Sequence, residues 1–201
     1  MYAKPKTMKT ELEHNFITQA HDLKALFNGV TKFATFCRRL EEQSLIDPDR
    51  YKSDKYKGDG FEFFVELFLM LHPHDNRVGV SDYHPTQEND NGVDGYGVNL
   101  LMEKCVVQVK YRSNHQYLLT SNQDHLGNLI TDGMGTHQVV YSNDPKNFRH
   151  FVFTTAEGLN FYTEEQMFKS KVKCFGYKDF RSLLDYNMGF WNDALKIVEN
   201  M

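Results

Sequence analysis

The chain has 201 residues, 40% hydrophobic and 14% aromatic, enough apolar material to bury the core of one domain with an elaboration. Its 23 Lys and Arg against 27 Asp and Glu give a net charge of −4, which argues against a protein that coats nucleic acid with its whole surface but allows a local basic face. No apolar run approaches membrane-spanning length, and residues 1–11 carry lysines without the apolar stretch of a signal peptide, so a chain with no membrane partner is expected.

Residues 1–9 hold Lys4, Lys6 and Lys9 and are expected to form a loose basic arm. From Thr10, the positions Leu12, Phe16, Ala20, Leu23, Leu26 and Phe27 recur at helical spacing, and Asn28-Gly29 stops that helix. A second helix is predicted over 31–43, burying Phe33, Phe36, Cys37 and Leu40 and turning Arg38, Arg39, Glu41 and Glu42 to solvent. Residues 47–59 (DPDRYKSDKYKGD) read as a polar connection. Arg50, Lys52, Lys55 and Lys57 interleave there with Tyr51 and Tyr56, which suits a phosphate backbone with stacked bases; the plainer reading is a solvated linker.

Residues 60–71 (GFEFFVELFLML) are apolar on almost every side and predict a buried helix. Its charged positions, Glu62 and Glu66, share one stripe. Asp59 at the N-cap with Glu62 three residues on makes a capping box, which accounts for Glu62 but not for a second glutamate. His72-Pro73-His74-Asp75 reads as a helix stop with solvated imidazoles rather than a metal site. A first strand is predicted over 77–83, followed by a polar loop over 84–91; nothing in the spacing of Asp82, Glu88 and Asp90 demands a role for them.

Residues 91–113 (NGVDGYGVNLLMEKCVVQVKYRS) predict a β-hairpin. Val107, Val109 and Tyr111 alternate with Gln108, Lys110 and Arg112, the period of a half-buried strand, and 93–98 reads as a glycine-loosened partner carrying Asp94, Tyr96 and Val98 on one face. With the turn centred near Leu101 or Met102, Asp94 falls opposite Gln108 or Lys110, where cross-strand neighbours lie about 5 Å apart. Taken alone, Gln108 and Lys110 would be the polar outer face of an edge strand. GVDGYG lacks the Gly-Lys-Ser/Thr ending of a phosphate-cradling loop.

Beyond the hairpin, residues 115–137 contain Leu118, Leu126, Leu129, Ile130 and Met134, a short helix within a long excursion, and 139–141 read as a short strand. Residues 149–155 (RHFVFTT) predict a core strand, 161–169 a helix, 172–175 a final strand, and 177–185 and 190–198 amphipathic helices with Trp191 as a core anchor. The three cysteines, Cys37, Cys105 and Cys174, stand far apart among apolar neighbours, which excludes a C-x-x-C zinc site and suits reduced thiols in a cytoplasmic compartment. The expected fold class is α/β, a mixed central sheet flanked by helices. Residues 1–57 are expected to form an N-terminal extension of arm, two helices and linker, and 58–201 the core, with the excursion at about 113–147.

Asp94 followed by Gln108-Val109-Lys110 on the next strand resembles the active-site core of the PD-(D/E)xK nuclease superfamily, in particular the Mrr-type restriction endonuclease branch. That branch has a G-V-D strand before a V-Q-x-K strand, as in Gly92-Val93-Asp94 and Val107-Gln108-Val109-Lys110. Its helix opening with Phe-Glu is matched by Phe61-Glu62, and its strand ending in Thr-Thr by residues 151–155. The resemblance implies a restriction-endonuclease-like core and a metal-dependent DNA endonuclease with Glu62, Asp94, Gln108 and Lys110 in catalysis. It implies Mg²⁺, with Mn²⁺ able to substitute, held by Asp94, Gln108 and the carbonyl of Val109, with Glu62 acting through a bound water. Lys110 would hold the attacking water or neutralise charge developing on the phosphate. The partner would be DNA, met by Arg50, Lys52, Lys55, Lys57 and Arg112. One such site cuts one strand per encounter, which leaves room for a homodimer or a partner subunit. Gln108 stands where the superfamily more often has an acid, which weakens metal binding and keeps open a catalytically weak or inactive nucleic-acid-binding module on the same fold.

Overall fold

The computed structural model describes residues 11–14, 23–46, 49–72, 76–86, 92–139, 147–169 and 172–201. In chain order the elements are α1 (Leu23–Phe27), α2 (Phe33–Ser44), α3 (Arg50–Leu71), β1 (Val80–Pro85), β2 (Gly95–Asn99), β3 (Lys104–Lys110), β4 (Leu118–Leu119), α4 (Leu126–Gly135), β5 (His150–Thr154), β6 (Gly158–Leu159), α5 (Phe161–Lys169), β7 (Val172–Phe175), α6 (Tyr177–Leu184) and α7 (Met188–Glu199). Five strands form one mixed sheet in the order β1-β2-β3-β5-β7, and β4 pairs with β6 in a small second sheet. The first three strands run antiparallel, while β3, β5 and β7 are parallel. The mixed α/β class expected from the strand and helix periods is what the chain adopts.

Two apolar clusters cover the two faces of the sheet. One joins Val107 and Val109 of β3 to the phenylalanines of α2, α3, α6 and α7, with Phe36 and Phe64 centroids 4.3 Å apart and Phe33 and Phe180 4.7 Å apart. Trp191 is buried there, as its anchor role required, and donates its ring N–H to the Leu184 carbonyl at 2.8 Å. The second cluster joins Val106 and Val152 to Leu126 and Leu129 of α4 and Met167 of α5. The C-terminal half of α3 is apolar all round because it is sandwiched between the sheet and the other helices of its face. Helices α1 and α2 belong to the same cluster, so the N-terminal helices are part of the main core rather than an appendage.

Three local expectations change. Residues 47–59 are not a polar connection: from Arg50 onward they form the first half of α3, and the boundary drawn at 57/58 falls inside that helix. Ion pairs Lys55–Asp59 at 2.6 Å and Lys57–Asp54 at 2.8 Å line its surface, and Tyr56 donates to Gln43 Oε1 of α2 at 2.6 Å. These contacts and the buried second half offset the roughly 1 kcal/mol that each of Gly58 and Gly60 costs a helix interior. Asp59 is therefore no N-cap, and Glu62 sits about three turns inside the helix, outside any capping box. The helix expected over 10–27 survives as α1 alone among the described residues, and residues 11–14 are non-helical. β3 is the central strand of its sheet, so the edge-strand reading of Gln108 and Lys110 does not hold.

The remaining elements stand close to expectation, with the first strand displaced to β1. Lys4, Lys6, Lys9, Glu88, Asp90, Pro73, His74, Asp75 and most of the strand expected over 139–141 lie outside the described residues. No helix among the described residues is long and apolar enough to cross a membrane.

A continuous α3 predicts the outcome of one substitution. A Cβ at Gly58 would meet nothing within 4 Å, so Gly58→Ala should stabilise the protein by about 0.5–1 kcal/mol in denaturant unfolding. A neutral or destabilising result would mean that the helix is broken at this point.

Candidate functional site

The site is built by the β2–β3 hairpin. Asn99 ends β2 with its side-chain oxygen accepting from the amides of Leu101 and Glu103, both at 3.0 Å, and Met102 takes a positive φ of 61°. This turn sets the register Gly95↔Val107. One step further along the ladder turns irregular: the Asp94 amide donates at 2.9 Å to the carbonyl of Val107, the residue that Gly95 already faces, as at a β-bulge. The β2–β3 ladder is centred on Leu101, one of the two positions expected, and it ends at Gly95, one residue short of Asp94.

Asp94 is half-buried, and its Oδ2 accepts from the Val109 amide at 2.6 Å. The amide and carbonyl of one strand residue face the same edge, so the Val109 carbonyl lies on the Asp94 side of β3. Tyr83, buried on β1, donates its hydroxyl to the Asp94 carbonyl at 3.1 Å. Burial and then the negative charge of Glu62 push the Asp94 carboxyl up to about 7, opposed by the Val109 amide, Lys110 and His14. Burial, with the charges of Asp94, Glu62 and Glu66, also raises the Tyr83 phenol. These mutual effects place Asp94, Glu62, Lys110, His14 and Tyr83 in one electrostatic neighbourhood.

Gln108 and Lys110 share the face of β3 opposite Val107 and Val109. Gln108 is fully buried, and neither end of its amide has a hydrogen-bond partner among the described residues. An amide buried in that way costs about 1–3 kcal/mol, so its retention calls for a role. Lys110 is half-exposed and lines a cleft of about 460 Å³ together with Asp54, Lys57, Val109 and Arg112. Of the expected DNA contacts, Lys57 and Arg112 thus reach the cleft. Arg112 is paired there with the buried Asp124. Lys52 is exposed on α3, Lys55 is paired with Asp59, and the side chain of Arg50 lies outside the described set.

Sequence reasoning missed His14. The segment before α1 lies along α3, where Glu66, only 1% exposed, accepts from the backbone amides of Glu13 and His14 at 2.6 and 3.0 Å. The His14 ring nitrogen Nε2 lies 3.0 Å from Glu62 Oε2, and Glu13 reaches His84 at 3.0 Å. The signal that could have revealed this was the second glutamate on the buried stripe, which a capping box left unexplained.

The donors expected from the sequence are two carboxylates, one amide and a backbone carbonyl, an oxygen set suited to a hard cation rather than to zinc. Asp94, Glu62 and Val109 are brought together, while Gln108 faces α4 on the other side of the sheet. Among the described residues no group of three or more His, Cys, Asp and Glu side chains is arranged to hold a metal. Comparison of the chain with protein-family models, with curated proteins and with solved structures finds no match.

The raised Asp94 carboxyl makes a pH prediction. Folded Asp94 holds its proton up to about pH 7 and the unfolded chain only to about 3.8, so ionisation costs the fold stability across that window, and the penalty is complete above it. Asp94→Asn, whose side-chain oxygen can still accept from Val109, should raise stability by up to about 4 kcal/mol at pH 8 and by nothing near pH 3.5. Thermal melts at both pH values check this, and an equal effect at the two would contradict it.

Proposed function

We propose that the chain is a metal-dependent DNA endonuclease with a restriction-endonuclease-like core of the Mrr type. The observation that carries this reading is the hairpin contact that holds the Asp94 carboxylate on the amide of Val109, the residue between Gln108 and Lys110, with Glu62 close enough to raise the Asp94 carboxyl. Asp94, the Val109 carbonyl and Glu62 are the groups that would hold Mg²⁺ or Mn²⁺. The mutual repulsion of Asp94 and Glu62 suits a cation. When bound, such an ion supplies a Lewis acid for a phosphoryl oxygen and an acidified water.

The protein's own groups do the rest. Asp94 is kept in place by the Val109 amide, which also stabilises its charged form. Lys110, a cation in the cleft, neutralises negative charge growing on the phosphate. Lys57, on the facing wall, offers a phosphate-backbone contact. Arg112 contributes its field but not a free fork, since Asp124 engages its guanidinium. The second reading, a catalytically weak or inactive DNA-binding module, draws on the neutrality of Gln108, which leaves the ion one negative charge short.

Cleavage of supercoiled plasmid tests the reading. Activity with Mg²⁺ or Mn²⁺ is expected, lost in EDTA and lowered by about 100-fold or more in Asp94→Ala and in Lys110→Ala. Undiminished cleavage by both variants would remove the site, and DNA binding without cleavage by the parent protein would favour the second reading.

The path of DNA has its own test. Lys57→Ala should make the salt dependence of DNA affinity shallower by roughly 0.9, the loss of one duplex phosphate contact, while Lys52→Ala should change it less. Equal slopes for both variants would move the path away from the cleft.

A further inference from the structure

We propose that His14 is a positioning residue of this site: its imidazole Nε2, 3.0 Å from Glu62 Oε2, holds that carboxylate in one orientation beside Asp94. The proposal rests on the nuclease reading given above and adds a residue to its machinery. Three observations support it. The first is the anchor. Glu66 is buried on a helix otherwise apolar at that level, and a buried carboxylate needs charge-assisted partners. Two consecutive backbone amides, those of Glu13 and His14, supply them. Residues 62 and 66 lie one helical turn apart on the same stripe, so docking the backbone at Glu66 delivers the side chain of His14 to Glu62.

The second observation is the asymmetry between the two glutamates. Glu66 docks the segment through two backbone amides, and Glu13 adds a contact to His84. The Glu62 side chain is 29% exposed, so water could satisfy it without help, whereas the His14 ring is 10% exposed. The His14–Glu62 contact is therefore not needed to compensate burial of Glu62, although it gives the largely buried His14 ring a partner. What it does for Glu62 is restrict a long, rotamer-rich side chain to one orientation.

The third observation is electrostatic. Asp94 and Glu62 repel one another, and without a bound cation Glu62 would relax away. A hydrogen-bond donor on Glu62 keeps it in place before any ion arrives, the role that outer partners of metal-binding carboxylates commonly serve. Since Glu62 accepts in its charged form, the contact puts a proton on the ring nitrogen Nε2 of His14.

The test compares His14→Gln, whose Nε2 can still donate to Glu62, with His14→Leu and His14→Ala, which cannot donate. Each is assayed for kcat and KM in Mg²⁺-dependent cleavage, for thermal stability, and for Mn²⁺ affinity without DNA by electron paramagnetic resonance. The proposal expects kcat to fall by about 10–100-fold in the Leu and Ala variants with KM within about twofold, and a large part of the rate to return in Gln. Mn²⁺ affinity should fall and recover in the same order. Equal kcat for Gln and for whichever donorless variant folds overturns the role of His14 and leaves the nuclease reading standing. If the parent protein does not cleave, the Mn²⁺ titration decides. Weaker binding in the donorless variants, recovered in Gln, supports positioning; equal affinities overturn it. No Mn²⁺ binding by the parent protein overturns both the positioning role and the nuclease reading.

Discussion

The pairing of β2 with β3 is the constraint on which the rest of the molecule depends. Because strand side chains alternate with a period of two, a slip of one residue would turn Gln108 and Lys110 into the phenylalanine-rich layer and expose Val107 and Val109 to the other face. The Asn99 turn, with two amides held by one side-chain oxygen, removes that freedom locally. The parallel pairing of β3 with β5 removes it again from the other side, since Val107 must meet Phe151 and Val109 must meet Phe153 for the α3-side cluster to close. Two independent constraints therefore agree on one register, and the polar residues of the hairpin are placed as a by-product of burying the apolar ones.

Helix α3 is the second organising element. Its C-terminal half fills the space between the sheet and α2, α6 and α7 with Phe61, Phe63, Phe64 and Phe68, all fully buried. That burial is strong enough to carry the helix back through Gly58 and Gly60 to Arg50. The consequence for the site is geometric: Lys57 and Gly58 become one wall of the cleft whose other wall is the end of β3, from Val109 to Ser113. A linker at 47–59 would have left that wall undefined.

The cluster around Asp94 works against stability. Burial and a second carboxylate raise Asp94, and Gln108 sits in the core with its amide unmatched. Each of these costs free energy that an apolar replacement would recover. The neighbouring polar groups show the contrast: Asp124 is just as buried, yet Arg112, the Thr120 amide and the Tyr117 hydroxyl satisfy it.

Much of this was legible in the residues themselves. The alternation of Val107 and Val109 with Gln108 and Lys110 gave β3 and its two faces, the all-round apolarity of 60–71 gave a buried helix, and the glycine-loosened run before them gave the partner strand that β3 pairs with. Those signals are local, because backbone geometry repeats every two or 3.6 residues and stamps that period on the sequence. What only the tertiary structure decided lies where the partner is distant and leaves no period. The continuation of α3 through two glycines depended on α2 packing against it, which outweighs intrinsic helix propensity. The burial of Gln108 depended on α4 covering a face that alternation alone marked as polar. The arrival of His14 depended on backbone amides meeting Glu66 across 52 and 53 residues of sequence, and because every residue but proline carries an amide, no residue type announces that bond in advance.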